Sequence, residues 1–450
     1  MVLREEAVPS EEQIYDWIEE VFRQGVRRPG YPADRWAEQW IQDRFGEFGL
    51  ESVRAEPVVT PYWEPLHSSL VAVRADGSEA EIPCFALPFS SPGHVEATLV
   101  KLDGGTVQGA IALCELPLLR VPHTWYERIA TWQFDPDGSF AEASHLLPTT
   151  LPGQQAMESA IAAGACGFVG VLAGYPGNSI EYYVPYDGKF RPIPGVWISG
   201  RDGERLKSWL AKGLVVVRLK VDARRASITS YNIVGELPGA DDEAVIIGSH
   251  HDGPWASAVE DSSGIALVLA QAAYWSRVPP AERPHRLMFL LNGGHMSGGT
   301  GQAEFARSHA DELNHVVLEV HLEHPASEVS EVGGELRPTG QPETRWWFTS
   351  RIPRLESAVR DAIETEDLRR SYILPPTAFR EKPTTDAANF YPAGVPIVNY
   401  LVAPFYLFDA MDTMDKVHRP SLVPVTRAAI RIINSTAGVS ASVMRAGETR

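Results

Sequence analysis

The sequence predicts an α/β protein: a mixed, mostly parallel sheet sandwiched by helices. Three observations predict it. From about residue 226 onward, short apolar runs alternate with helix-length runs, the rhythm of strand–helix–strand units. Four of the apolar runs end in clusters of histidine, acidic or amide residues, and open α/β sheets bind ligands at those strand ends. The 450 residues also exceed what one average core holds, so two or three folding units are expected.

Taken in order, residues 11–48 carry helical periodicity through Ile14, Trp17, Ile18, Val21 and Phe22, then Trp36, Trp40, Ile41 and Phe45. The Pro-Gly-Tyr-Pro break at 29–32 divides them into two helices. A strand-like run, Ser68-Ser-Leu-Val-Ala-Val-Arg74, follows. Residues 85–222 change texture: short strands such as 109–114, 167–172 and 215–221 alternate with Gly/Pro turns, and one helix is suggested over 153–163. The strand–helix alternation then runs through 231–239, 244–248, 264–276, 286–292, 316–322 and 395–401. This divides the chain into residues 1–84 (helices and strands belonging with the C-terminal part), an insert at 85–222, and the main domain at 223–450.

The balance of 40 Lys+Arg against 58 Asp+Glu leaves a formal charge of −18, which argues against nucleic acid and anionic membranes as partners. Cys84, Cys114 and Cys166 form no CxxC pair, so neither a disulfide framework nor a cysteine zinc cage is expected. The N-terminus lacks an apolar signal core and no long uncharged apolar run occurs, so a soluble, reducing, cytoplasmic setting is expected. Small-molecule or peptide substrates remain as partners, and a homo-oligomer is compatible with everything above.

The chemistry concentrates in Gly248-Ser-His-His-Asp252 and Ala258-Val-Glu-Asp-Ser-Ser-Gly264, in Asn292-Gly-Gly-His-Met296, and in His321-Leu-Glu-His324. Thr384-Thr-Asp386 and the acidic run Asp409, Asp412, Asp415 complete the set. One histidine at a strand end is ordinary packing. Histidines on three separate loops, with carboxylates beside them, suit a divalent metal, zinc first, with manganese or iron also compatible. Strand alternation sends His321 and Glu323 to one face and His324 to the other.

At these residues the chain resembles the zinc aminopeptidase family that includes bacterial leucyl aminopeptidases, glutamate carboxypeptidase and glutaminyl cyclases. Residues 85–222, with Ala163-Gly-Ala-Cys-Gly-Phe-Val-Gly170, resemble the β-rich protease-associated domain often inserted in that family. The resemblance implies an aminopeptidase-like fold and a metal-dependent hydrolase. It places His250 as a metal ligand with Asp252 orienting it, Glu260 at the bridging carboxylate, and Glu323 at the next carboxylate ligand. Three positions depart from the pattern. His295 and Met296 stand where a Glu-Glu pair supplies general base and ligand, and Phe408 stands where a histidine ligand is expected.

Thioether and phenyl replace a carboxylate and an imidazole ligand, which argues for one remodelled metal site held by His250, Glu260, His295 and Glu323, with His251 as a substitute donor. His295, His324, Asp252 and Asp261 are the catalytic candidates, and Trp255, Asp386 and Tyr406 the substrate-binding ones. Arg369, Arg370 and Arg380 read as surface charge with a secondary option of holding a substrate carboxylate. Three readings stay open: a single-metal amide hydrolase, a two-zinc aminopeptidase with substituted ligands, and a non-catalytic binding protein on the same scaffold.

Overall fold

The computed structural model describes residues 3–102, 106–148 and 151–448. Its main sheet runs in the order Val215–Leu237, Arg286–Asn292, Ala244–His250, Val316–Leu322, Ile397–Val402, Arg345–Thr349, Ser371–Leu374 and Trp132–Phe134. The strand Ala244–His250 lies parallel to both of its neighbours, and Val316–Leu322 is parallel to Ile397–Val402, so the strands that carry the histidines end at one edge.

Alternation along these strands feeds two cores. Val245, Ile247, Leu287, Phe289 and Leu291 face one, and Ala244, Ile246, Met288 and Leu290 face the other. The first core is closed by Gly264–Ser276, an apolar helix buried along its length, together with Glu11–Phe22 and Arg419–Asn434. Phe305, on the helix Thr300–Ser308, helps close the second.

Two long strands tie the molecule together. Glu51–Arg74 and Val215–Leu237 pair antiparallel from Glu51 opposite Glu236 to Arg74 opposite Val215. One end of Val215–Leu237 bonds to Arg286–Asn292, and the other bonds to Gly93–Lys101. Beyond Gly93–Lys101, the strands Ile111–Pro117, Gly167–Ala173 and Gly195–Ser199 continue in parallel, with helices Leu151–Ala162 and Gly200–Leu210 packed against them. Residues 85–222 are therefore richer in α/β units than their Gly/Pro-punctuated sequence suggests.

Part of that stretch leaves its own sheet. The strands Leu119–Pro122 and Ser144–Leu147 form a hairpin-like pair, and Trp132–Phe134 joins the edge of the main sheet beside Ser371–Leu374. The Tyr126, Phe140, Trp346, Tyr372 and Phe379 rings cluster beneath this excursion. His145 anchors it, donating from Nε2 to the Ala403 carbonyl at 2.9 Å while Nδ1 meets Glu343 at 3.2 Å. The excursion thus lies across the strand ends that carry the polar clusters. Cys84, Cys114 and Cys166 are partly buried and form no disulfide among the described residues. No helix among the described residues is long and apolar enough to cross a membrane.

Candidate metal centre

His250 closes the buried strand Ala244–His250. Its Nδ1 lies 2.8 Å from the Asp252 carbonyl, which can only accept, so that nitrogen carries the proton and Nε2 faces the opposite way. There it meets Glu260 Oε1 at 3.4 Å, with Asp261 and Asp386 carboxylate oxygens each at 3.8 Å. Asp252 orients His250 through its main chain; its carboxylate stands 4.0 Å from the ring and instead accepts from the His295 and Met296 amides at 3.0 and 2.6 Å. One aspartate therefore fixes two histidine-bearing loops.

Glu260 is held from behind. The Asp412 carboxylate accepts the Val259 and Glu260 amides at 2.9 and 2.8 Å, and Arg27, fully buried, donates to the carbonyls of His251 and Ala256 in the same loop. Asp261 takes the Ser249 hydroxyl and the Gly264 amide, the latter at 2.9 Å. A Cβ at Gly264 would come within 2.1 Å of an Asp261 oxygen, so glycine is required for that approach.

His324 reaches the same point by an unexpected route. It lies beyond the last strand residue, Leu322, and takes a left-handed φ of 58°, rare for a residue with a side chain. The strand alternation that predicts it on the far face no longer applies. Its Nδ1 donates to the Val402 carbonyl at 3.0 Å, and Nε2 sits 2.6 Å from Glu260 Oε2 without hydrogen-bond geometry. Glu260 therefore has His250 on one oxygen and His324 on the other.

His295 stacks on His250 with ring centres 4.0 Å apart, and its Nδ1 meets Asp386 at 2.9 Å. Glu323 Oε1 stands 3.1 Å from His321 Nε2 without hydrogen-bond geometry, and His321 Nδ1 is backed by the buried Glu319 at 2.7 Å. Donor atoms of His250, Glu260 and His295 lie within 4.8 Å of one another, as do those of His250, Glu323 and Asp386, and of His250, Asp261 and His324.

The buried atoms here that make no hydrogen bond among the described residues include His250 Nε2, Glu260 Oε2, His321 Nε2, Glu323 Oε1 and His324 Nε2. Native interiors rarely leave so many neighbouring polar atoms unsatisfied. A divalent cation would satisfy such atoms, and the mixture of imidazole and carboxylate suits zinc.

The electrostatics agree. Burial pushes the His250 ring down, but Asp261, Glu260 and Asp386 hold it well above its ordinary value. Burial likewise opposes His324, which Glu260 and Asp261 lift to about 10. Burial raises Asp261 to about 7 despite His250 and His324. Burial also works against Glu260, yet His324 and His250 hold it below the usual carboxylate range. A dication supplies the positive charge that protons otherwise bring.

Several other candidates stand apart. His251, considered as a substitute donor, has both ring nitrogens engaged, by Asp34 at 2.9 Å and the Tyr231 carbonyl at 2.8 Å. Trp255 donates to the Phe408 carbonyl at 3.1 Å and packs on Phe85 and Arg28, outside the cavity. Tyr406 is buried with its hydroxyl on the Ser327 carbonyl at 2.8 Å, away from any substrate. Asp386, considered for substrate binding, lies among the imidazoles instead. Met296 is buried in the core, and Phe408 stacks near Tyr186 on the cavity wall.

The centre opens into a cavity of about 820 Å³. His250, Glu260, His295, Glu323, His324 and Asp386 form its floor; Trp125, Trp346, Phe379, Leu401 and Leu407 line its sides. The excursion from residues 119–148 supplies one whole wall through Leu119, Val121, Trp125 and Leu147.

The profile of Peptidase family M28 matches residues 232–433, the span that carries every one of these floor residues. Among solved structures, the chain is similar to a Peptidase M28 precursor from Shewanella amazonensis SB2B, at 20% identity and a TM-score of 0.72 over 96% of this chain and 94% of that one. It is also similar to BSAP, a zinc aminopeptidase from Bacillus subtilis (17% identity, TM-score 0.65, 96% of both chains). An aminopeptidase from Aneurinibacillus sp. strain AM-1 aligns at 19% identity and TM-score 0.63, over 96% of this chain and 94% of that one. No curated protein sequence matches the chain. These likenesses establish the aminopeptidase-like architecture of the mixed, mostly parallel sheet.

Proposed function

We propose that this chain, whose residues 232–433 match Peptidase family M28, is a metal-dependent hydrolase that cleaves a peptide or small-molecule amide bond at one remodelled metal site. His250, Glu260 and Glu323 would hold the metal, with His324 closing the set. When bound, the metal supplies Lewis acidity, polarising an amide carbonyl and lowering the pKa of water toward about 7. Zinc suits these donors best; manganese or iron is compatible.

The chain's own residues do the rest. His295 occupies the general-base position and is oriented by Asp386 at 2.9 Å, so its ring can take a proton from water and pass it to the leaving nitrogen. Asp252 and Asp412 keep the reacting loops in register through the amides they bind. Asp261 buffers the charge beside Glu260. The apolar side chains of the walls would displace water from the floor once a substrate fills the cavity, which strengthens electrostatic effects there.

The observation that carries this reading is that the unsatisfied buried atoms of His250, Glu260, Glu323 and His324 belong to residues lining the same cavity. A second reading draws on Glu260, whose two oxygens face different imidazoles as a carboxylate bridging two metals does. In that case His324 restores from a neighbouring strand end the ligand that Phe408 lacks. A hydrolysis survey with zinc-loaded protein tests the proposal: chelator-sensitive amide cleavage supports it, and no cleavage of any peptide or amide, loaded or stripped, contradicts it. Two metal equivalents in the active protein select the bridged form.

A further inference from the structure

Three arginines, Arg120, Arg128 and Arg380, line the cavity above the floor, and none makes an ion pair among the described residues. Elsewhere on this acidic surface arginines find carboxylates readily: Arg224 with Glu64, Arg369 with Asp137, Arg370 with Glu328, Arg419 with Glu11. In a chain of net charge −18, three free guanidinium groups around one opening form a local field of opposite sign. Arg380 lies near enough to Tyr186 to act on it electrostatically, and Tyr186 in turn packs 5.4 Å from His295, so positive charge reaches toward the floor.

The acidic lining tells the complementary story. Glu260, Glu323 and Asp386 are the carboxylates that line the cavity among the described residues, and all three belong to the floor cluster. A free substrate α-ammonium finds no uncommitted acid here and meets three like charges. A carboxylate finds the fork-shaped donors that recognise it best. The remaining surface is mainly apolar and carries an aromatic cluster: Trp125, 40% exposed, stacks on Phe379 with ring centres 5.7 Å apart, and Trp346 lies 5.8 Å from the same ring.

We infer that the cavity takes an N-acylated amino acid: its free carboxylate meets Arg120, Arg128 and Arg380, and its apolar, ring-bearing acyl group lies along Trp125, Trp346 and Phe379. The inference rests on the hydrolase reading above for its reaction and stands on the cavity alone for its binding. Cleavage breaks the amide C–N bond with one water. The water oxygen goes to the acyl carbon, giving a carboxylic acid, and its protons end on the released amino nitrogen and in solution.

The test separates binding from chemistry. Calorimetry compares N-benzoylglycine with N-benzoylglycinamide, the same molecule without the negative charge, on the purified full chain. The acid is expected to bind at least about ten-fold tighter, with the preference weakening as salt is raised. In the Arg120→Ala/Arg128→Ala/Arg380→Ala variant the preference should fall below about three-fold. The three positions are exposed, and circular dichroism confirms that the variant is folded. Equal affinity for acid and amide, or binding of neither, overturns the inference.

A parallel assay with zinc-loaded protein compares hydrolysis of N-benzoylglycine and of leucine p-nitroanilide. Cleavage of the anilide alone overturns the substrate class and leaves the hydrolase reading intact. Tight, arginine-dependent binding of the acid without cleavage of either compound supports the substrate class and counts against the hydrolase reading.

Discussion

His250 and His251 are neighbours in the chain, yet they build opposite kinds of site. His251 joins Asp34 and Glu38, a buried trio whose donors lie within 4.8 Å and which looks as suited to a metal as the cluster around His250. Every polar atom that matters there is already paired. His251 uses both ring nitrogens, Asp34 also accepts the Gly30 amide at 2.7 Å, and Glu38 accepts Ser230 and Tyr231. Around His250 the corresponding atoms are unsatisfied. The difference teaches that proximity of acids and imidazoles does not mark a metal site; unspent lone pairs do.

The comparison can be broken or sharpened by mutation. The largest effect is expected for Glu260→Ala, which removes the carboxylate between His250 and His324. Metal content should fall from about one equivalent to under about 0.1, with hydrolysis lost, in protein that still folds. His295→Ala should keep its metal while kcat drops about 10²- to 10⁴-fold, as loss of a general base does; loss of metal instead would make His295 a ligand.

Asp34→Ala should do the reverse of Glu260→Ala. It leaves His251 buried without its carboxylate and should cost about 3–5 kcal/mol in denaturant unfolding, with the folded fraction keeping its metal. Asp252→Asn should lower activity by about 10- to 100-fold with metal content unchanged, because the carboxylate that fixes the His295 loop weakens while the metal-holding side chains remain.

The smallest effect is one of pH. Carboxylates hold His250 and His324 above their ordinary values, His324 at about 10, so protons compete with the cation at neutral pH. Measured metal affinity should therefore rise as pH increases from 6 to about 9. A flat profile would detach the histidines from the site.

Much of the fold was legible because each core strand is an apolar run at a fixed place in a strand–helix rhythm. The site was partly legible for the same reason: strand ends are where polar residues gather. The rest depended on contacts that leave no local pattern. Trp132–Phe134 is too short to announce that it pairs with Ser371–Leu374 across the chain, so the wall it brings to the cavity was invisible. Asp386 sits in a stretch without periodicity, and nothing local tells a ligand-orienting aspartate from a substrate-binding one. His324 defeated strand parity through one left-handed residue. Parity could have separated His250 from His251, since adjacent residues at a strand end point to opposite faces. Arg27, buried beneath the metal loop, carried no signal beyond being an arginine before a Pro-Gly turn.

The central claim is that unsatisfied donors, not proximity, choose where a cation binds. Anomalous diffraction at the zinc edge, on crystals grown with zinc, tests it most directly. The account predicts a peak about 2–2.3 Å from His250 Nε2 and from oxygens of Glu260 and Glu323. A peak between Asp34 and His251, or none at the strand ends, would contradict it.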